Sequence, residues 1–175
     1  MKASELTYFQ FISLPDDKRM EAQEAFIVAS GSFESVIDCL MWSWRDVKET
    51  QAVIDEDLSY LQILDIVKRE SKKINEHSLA VVVFKMFNEI KKQIQKITEG
   101  EANALSGEMS VKEKLAAVAV GGFDEFGTIP QTLTLCKLFN MPYERVELMP
   151  YHICFMALYY DKRIGDFNTE LTKQT

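Results

Sequence analysis

"HSLAVVVFKMFNEIKKQIQKI", residues 77–97, decides the fold. Its opening, "LAVVVF" at 79–84, is β-branched enough to form a buried strand. Yet the apolar positions Leu79, Val83, Met86, Ile90, Ile94 and Ile97 fall at intervals of four, three, four, four and three. A strand repeats its face every second residue, whereas a helix returns to one face every 3.6 residues, so the run predicts one long amphipathic helix. Upstream, "DLSYLQILDIVKRESKKI" at 57–74 sets Leu58, Leu61, Leu64 and Val67 three apart and extends the helical reading. A small hairpin around 50–85, which would make the fold α+β, is the alternative.

The flanking sequence reads as more helix. "SELTYFQFISL" at 4–14 opens on a serine cap, and Leu6, Phe9, Phe11 and Ile12 sketch an apolar stripe. "LPDD" breaks it, and Asp16 or Asp17 caps a helix through "KRMEAQEAFIVAS". Ser32 caps a third helix over about 33–54, which carries Trp42 and Trp44. Two residues apart on a helix, those indoles cannot share a face, so either one is buried with the other near a boundary, where it could anchor another chain, or both pack within the domain. Further on, "GEANALSGEMS" at 100–110 interrupts, Ser110 caps "VKEKLAAVAV", and "GGFDEFG" turns at 121–127. Pro130 suits the first turn of a helix over "TIPQTLTLCKLFN", whose apolar positions include Leu133, Cys136 and Phe139.

The tripeptide Met-Pro-Tyr then occurs twice, at 141–143 and 149–151, followed by His152 and Cys154. Each proline suits the start of a helix, and each preceding Met is pushed toward an extended backbone. The pair therefore reads as two corners, starting the short "PYERVEL" and the longer "PYHICFMALYYDKRIGDF". Ile153, Ala157, Tyr160 and Ile164 run down one face of the latter. His152 and Cys154 point to opposite sides of such a helix, which suits neither a metal nor a Cys–His pair. The apolar neighbours of Cys154 imply a raised thiol pKa and an inert cysteine.

Composition narrows the classes. A chain of 175 residues with only 7 Gly and 4 Pro has few breakers and favours long helices. Its 27 acidic against 20 basic residues leave a charge of −7, which argues against sequence-specific nucleic-acid binding. The helix-turn-helix rhythm of "LTLCKLFNMPYERVELMP" meets the same objection, because Glu144 and Glu147 would repel phosphate. Three widely spaced cysteines, Cys39, Cys136 and Cys154, make no disulfide framework and suit a reducing compartment. The N-terminus reads as no signal peptide, and no apolar run is long enough to span a membrane, so a soluble cytoplasmic protein is expected. "GGFDEFG" lacks the lysine and context of a phosphate loop, and no carboxylate pair stands in apolar surroundings. No catalytic, cofactor-binding or metal-ligating residue is expected.

The residues thus predict an all-α multi-helix bundle of about seven to nine helices, with one long amphipathic helix. A single domain over 1–175 is expected, with 1–14 and 166–175 as candidate partner-binding arms. The interface candidates are Tyr8, Phe9, Phe11, Trp42 and Trp44, because exposed aromatics anchor protein contacts.

The C-terminal half, from "IQKITEGEANAL" through "GGFDEFG" to "MPYERVELMPYHICFMALYYDKRIGDF", resembles small structural proteins of tailed phages. The nearest likeness is to those of crAss-like and related Bacteroidetes phages, near the head–tail junction. It rests on Glu99–Glu101, the "GGFDEFG" element, the Val146, Met149, Pro150, Tyr151 corner, and a helix with Phe155 and Leu158 ending at Phe167. It covers about 75 residues. The resemblance implies a non-enzymatic virion connector or ring subunit, assembled in the bacterial cytoplasm. Its partners would be further copies of itself and portal or tail subunits. A tail-assembly chaperone for a tape-measure protein, or a host-cell adaptor or regulatory module, are the alternatives.

Overall fold

The computed structural model describes residues 5–28, 37–105 and 127–173. Among them the chain forms eight α-helices and no strand or sheet. In order these are α1 (Tyr8–Ile12), α2 (Asp16–Val28), α3 (Trp44–Val53), α4 (Tyr60–Glu70), α5 (Ala80–Leu105), α6 (Ile129–Phe139), α7 (Tyr143–Glu147) and α8 (Tyr151–Lys173). The all-α reading holds, and the 50–85 hairpin is replaced by helix. Where one domain was expected, contacts divide the chain into two compact units. The first takes the residues up to Trp42 with Glu49–Lys96, the second Ser43–Lys48 with the residues from Ile97 onward.

In the first unit, α5 buries Val83, Met86, Ile90 and Ile94, four of the positions its periodicity picked out. Leu79 is exposed instead, because the helix starts one residue later and its place is taken by fully buried Ala80. The long run upstream is two elements. Ser59 caps α4, its hydroxyl accepting from the Gln62 amide while the Gln62 side chain accepts from the Ser59 amide. That box sets the helix so that Ile63, Leu64, Ile66 and Val67 are buried and Leu61 is exposed.

The N-terminal reading needs correction. Thr7 caps α1, again with a reciprocal Gln10 partner, so the helix is a single short turn and a half over Tyr8–Ile12. Tyr8 and Phe11 go inward and Phe9 outward, the reverse of the predicted stripe at Phe9. Three backbone hydrogen bonds hold this segment: Tyr8 N–H to Ser78 O at 2.7 Å, Phe9 N–H to Glu76 O at 2.7 Å and Ala80 N–H to Leu6 O at 2.8 Å. Over its described residues, 5–14 is therefore part of the core and not an arm. Phe11 stands edge-on to Tyr60 (centroids 5.3 Å apart, 88°) and Phe84 (5.1 Å, 77°), with Phe26 at 5.7 Å. Such clusters add to area burial through their edge-to-face geometry.

The expected helix over 33–54 is also broken, and residues 33–36 lie outside the described ones. A 3₁₀ turn over Cys39–Met41 ends at Trp42, whose backbone is extended (φ −63°, ψ 160°), and α3 starts afresh at Trp44. Gln93 reaches from α5 to hold the entry to that turn. Its amide donates to Ile37 O at 2.7 Å and accepts from Cys39 N–H at 3.0 Å.

In the second unit, α6 begins with Pro130 in its first turn and ends at Asn140 in the left-handed region (φ 51°). The inward residues are Thr132 and Leu135, one register off the predicted Leu133, which is exposed. The two Met-Pro-Tyr corners form as read, with Pro142 capping α7 and Pro150 immediately preceding α8. α5 runs through Gly100 to Leu105 without the break expected there. Ser110, "VKEKLAAVAV" and the first six residues of "GGFDEFG" lie outside the described residues.

Candidate interaction surface

Four of the five predicted anchors are buried. Tyr8 and Phe11 are fully buried in the first unit. Trp42 is buried there too, its indole N–H donating to Glu70 Oε2 at 2.7 Å. Trp44 is buried in the second unit. The break at Trp42–Ser43 lets both indoles be core, so the helical rule that separated their faces does not apply. Only Phe9, 55% exposed, keeps the accessibility that an anchor needs.

What the second unit offers is a buried polar cluster that fastens the base of α8. Lys48 Nζ donates to both oxygens of Glu101 at 2.6 and 2.7 Å, with little of either side chain exposed. The same ammonium lies 4.7 Å from the centroid of the Trp44 ring. The Trp44 indole N–H donates to Thr132 Oγ1 at 3.0 Å, and that hydroxyl donates onward to Thr128 O at 3.1 Å. Tyr151, the first residue of α8, stacks on Trp44 (5.6 Å, 10°) and hydrogen-bonds the Glu101 carboxylate. Backbone pairing completes the joint, with Trp44 N–H on Met149 O at 2.7 Å. Each buried polar group thus has a partner, as a low-dielectric site requires.

Burial lowers the Lys48 pKa, with Glu101 opposing that shift. It pushes the Tyr151 hydroxyl far above its usual range, reinforced by Glu101, and likewise Tyr8, reinforced by Tyr60. The unfolded chain ionises its tyrosines from about pH 10 while these two stay protonated when folded, so folding weakens as pH rises past that value. Lys48 acts the other way, because the unfolded chain keeps its proton up to about pH 10.5 and the folded chain releases it sooner. Two tyrosines against one lysine give net alkaline loss. A 295 nm titration is expected to show two tyrosines ionising only as helical ellipticity collapses.

The cysteines follow the same logic. Burial raises Cys154 to about 11. Burial, then Glu70, Asp38 and Glu89, raises Cys39 to about 12. At pH 8 an aromatic disulfide reagent is expected to modify half-exposed Cys136 quickly, and the other two only after denaturant is added. No group of three or more metal-ligating side chains comes together among the described residues. Among them, too, no helix is long and apolar enough to cross a membrane.

Above this base α8 changes character. Tyr151, Cys154 and Leu158 are buried at helical spacing. Tyr151, Phe155 and Tyr159 stack in a ladder, 6.0 Å and 6.4 Å between successive rings. Phe155, Met156 and Tyr159 form one wall of an open groove of about 400 Å³ against Gly100, Asn103 and Ala104 of α5. Beyond Leu158 no residue of α8 is buried, although Tyr160, Ile164, Phe167 and Leu171 are all apolar. Tyr160 is 68% exposed and Phe167 63%. The sequence shows Ile153, Ala157, Tyr160 and Ile164 of this face as a stripe but not what covers it, because periodicity reports only that a stripe exists.

No family model, no curated protein and no solved structure matches the chain.

Proposed function

We propose that this chain is a non-enzymatic subunit that works through protein–protein contacts, and that its assembly is a tailed-phage particle, at the head–tail junction. The observation that carries the contact reading is the half of α8 beyond Leu158. There, large apolar side chains at helical spacing stand exposed on a helix whose base is locked by the Lys48–Glu101–Tyr151 cluster. A helix end of that length is marginal in water on its own, and an apolar stripe on it favours a partner. The acidic balance suits a subunit that must sit beside packaged DNA without binding it indiscriminately. The virion assignment is supported by the sequence resemblance of the C-terminal half.

Peptide mass spectrometry on particles purified from a lysing culture of the source organism tests this. The chain is expected in particles at a defined copy number, about a dozen if it forms a ring. Abundance in the lysate with absence from particles would replace the subunit by an assembly chaperone. Absence of particles would remove the phage assignment and leave the contact reading.

A further inference from the structure

The exposed residues of α8 have a finer order. Ile153, Tyr160 and Phe167 are seven apart, and so are Ala157, Ile164 and Leu171, the two sets interleaved at intervals of four and three. That is the seam of a coiled coil, with the first set at d and the second at a. The positions flanking the seam are Met156, Arg163 and Glu170 on one side, and Cys154, Asp161 and Asn168 on the other.

We propose that this seam is closed by a second copy of the chain, its α8 running antiparallel about a two-fold axis. The inference deepens the protein-contact reading and rests on it, but it does not need the virion. Charge selects the register. When Ile164 of one copy layers against Phe167 of the other, Tyr160 layers against Leu171. Arg163 then faces the other copy's Glu170 on both sides of the axis, and Asp161 faces Asn168. Sliding by one heptad would lengthen the overlap, yet it would set Arg163 against Arg163 and Asp161 against Asp161 at the axis. A parallel pair brings Arg163 to Asn168 and leaves Glu170 without a cation from the other copy. Within the chain Glu170 already meets Lys173 at 2.7 Å, but that pair is wholly at the surface and yields readily to a second cation.

The four layers would bury on the order of 400 Å² per copy, taking about half of each aromatic's area. That is about half of a standard interface side, so the pairing is weak, with a dissociation constant on the order of micromolar. An isologous contact closes on itself as a dimer, so any ring would use other surfaces.

Sedimentation velocity of the full chain is the test, run between about 1 and 500 µM to bracket that range. Wild type is expected to pass from monomer to dimer. Arg163→Glu and Glu170→Arg should each weaken pairing at least ~10-fold, since each sets like charges together twice. Mixing the two single variants should restore it, and so should the double swap R163E/E170R. Phe167→Asp should give a monomer at every concentration, with the helical ellipticity of dilute, monomeric wild type, because the site is exposed. A wild type that stays monomeric throughout overturns the pairing. Single variants that pair as wild type does, or a mixture that fails to pair, overturn the antiparallel register. Neither result touches the particle measurement, so the two readings fail separately.

Discussion

Lys48→Met is expected to destabilise the second unit by about 3 kcal/mol, while Lys48→Met/Glu101→Leu costs less than either single change. Lys48 and Glu101 keep only 9% and 12% of their side chains exposed, so removing one partner strands the other's charge away from water. Breaking such a pair costs about 3–5 kcal/mol, whereas replacing both with apolar groups of similar volume is often nearly neutral. The lower end applies here because the Tyr151 hydroxyl still stabilises a stranded Glu101. Urea unfolding followed by indole fluorescence in a Trp42→Phe background reads this directly, since Trp44 then reports from beside the pair. Equal costs for the single lysine change and the double change would mean that the ammonium stabilises the fold through the Trp44 ring and not through Glu101.

Phe11→Ala is expected to cost the first unit about 3–5 kcal/mol, the usual range for emptying a large aromatic from a core. Phe11 is fully buried and touches Tyr60, Phe84 and Phe26, so no single neighbour can collapse into the space. Phe9→Ala, two residues away on the outward side, should shift stability by less than about 0.5 kcal/mol. Had the stripe predicted from sequence been correct, both changes would cost alike. Thermal unfolding of the two variants separates the cases, with Phe11→Ala expected to melt many degrees lower and Phe9→Ala close to the parent.

The contrast shows where the sequence was legible. α5 could be read because it repeats its face over four turns, and Val83, Met86, Ile90, Ile94 and Ile97 are all buried as that period requires. α1 could not, because in a five-residue helix the start residue sets the inward face. Thr7 and Gln10 set that start through a capping box. The tryptophans were misplaced for a related reason. An apolar run with no Gly or Pro looked continuous, yet Trp42 is extended and the helix restarts at Trp44. The Lys48–Glu101–Trp44–Tyr151 cluster was invisible in advance, since its members lie up to 107 positions apart and only the fold brings them together. The apolar face of α8 was visible as a pattern, and its exposure was not.

Hydrogen exchange along α8, measured at low and at high protein concentration, tests most directly whether this helix is a contact surface built on a locked base. Amides of Ile153–Leu158, the first of them bonded to Pro150 O, should be protected at both concentrations. Those of 159–173 should exchange quickly in dilute solution and gain protection as the chain is concentrated. Slow exchange of 159–173 in dilute solution would mean that the seam is already covered within one copy, and rapid exchange at every concentration would mean that no second copy covers it.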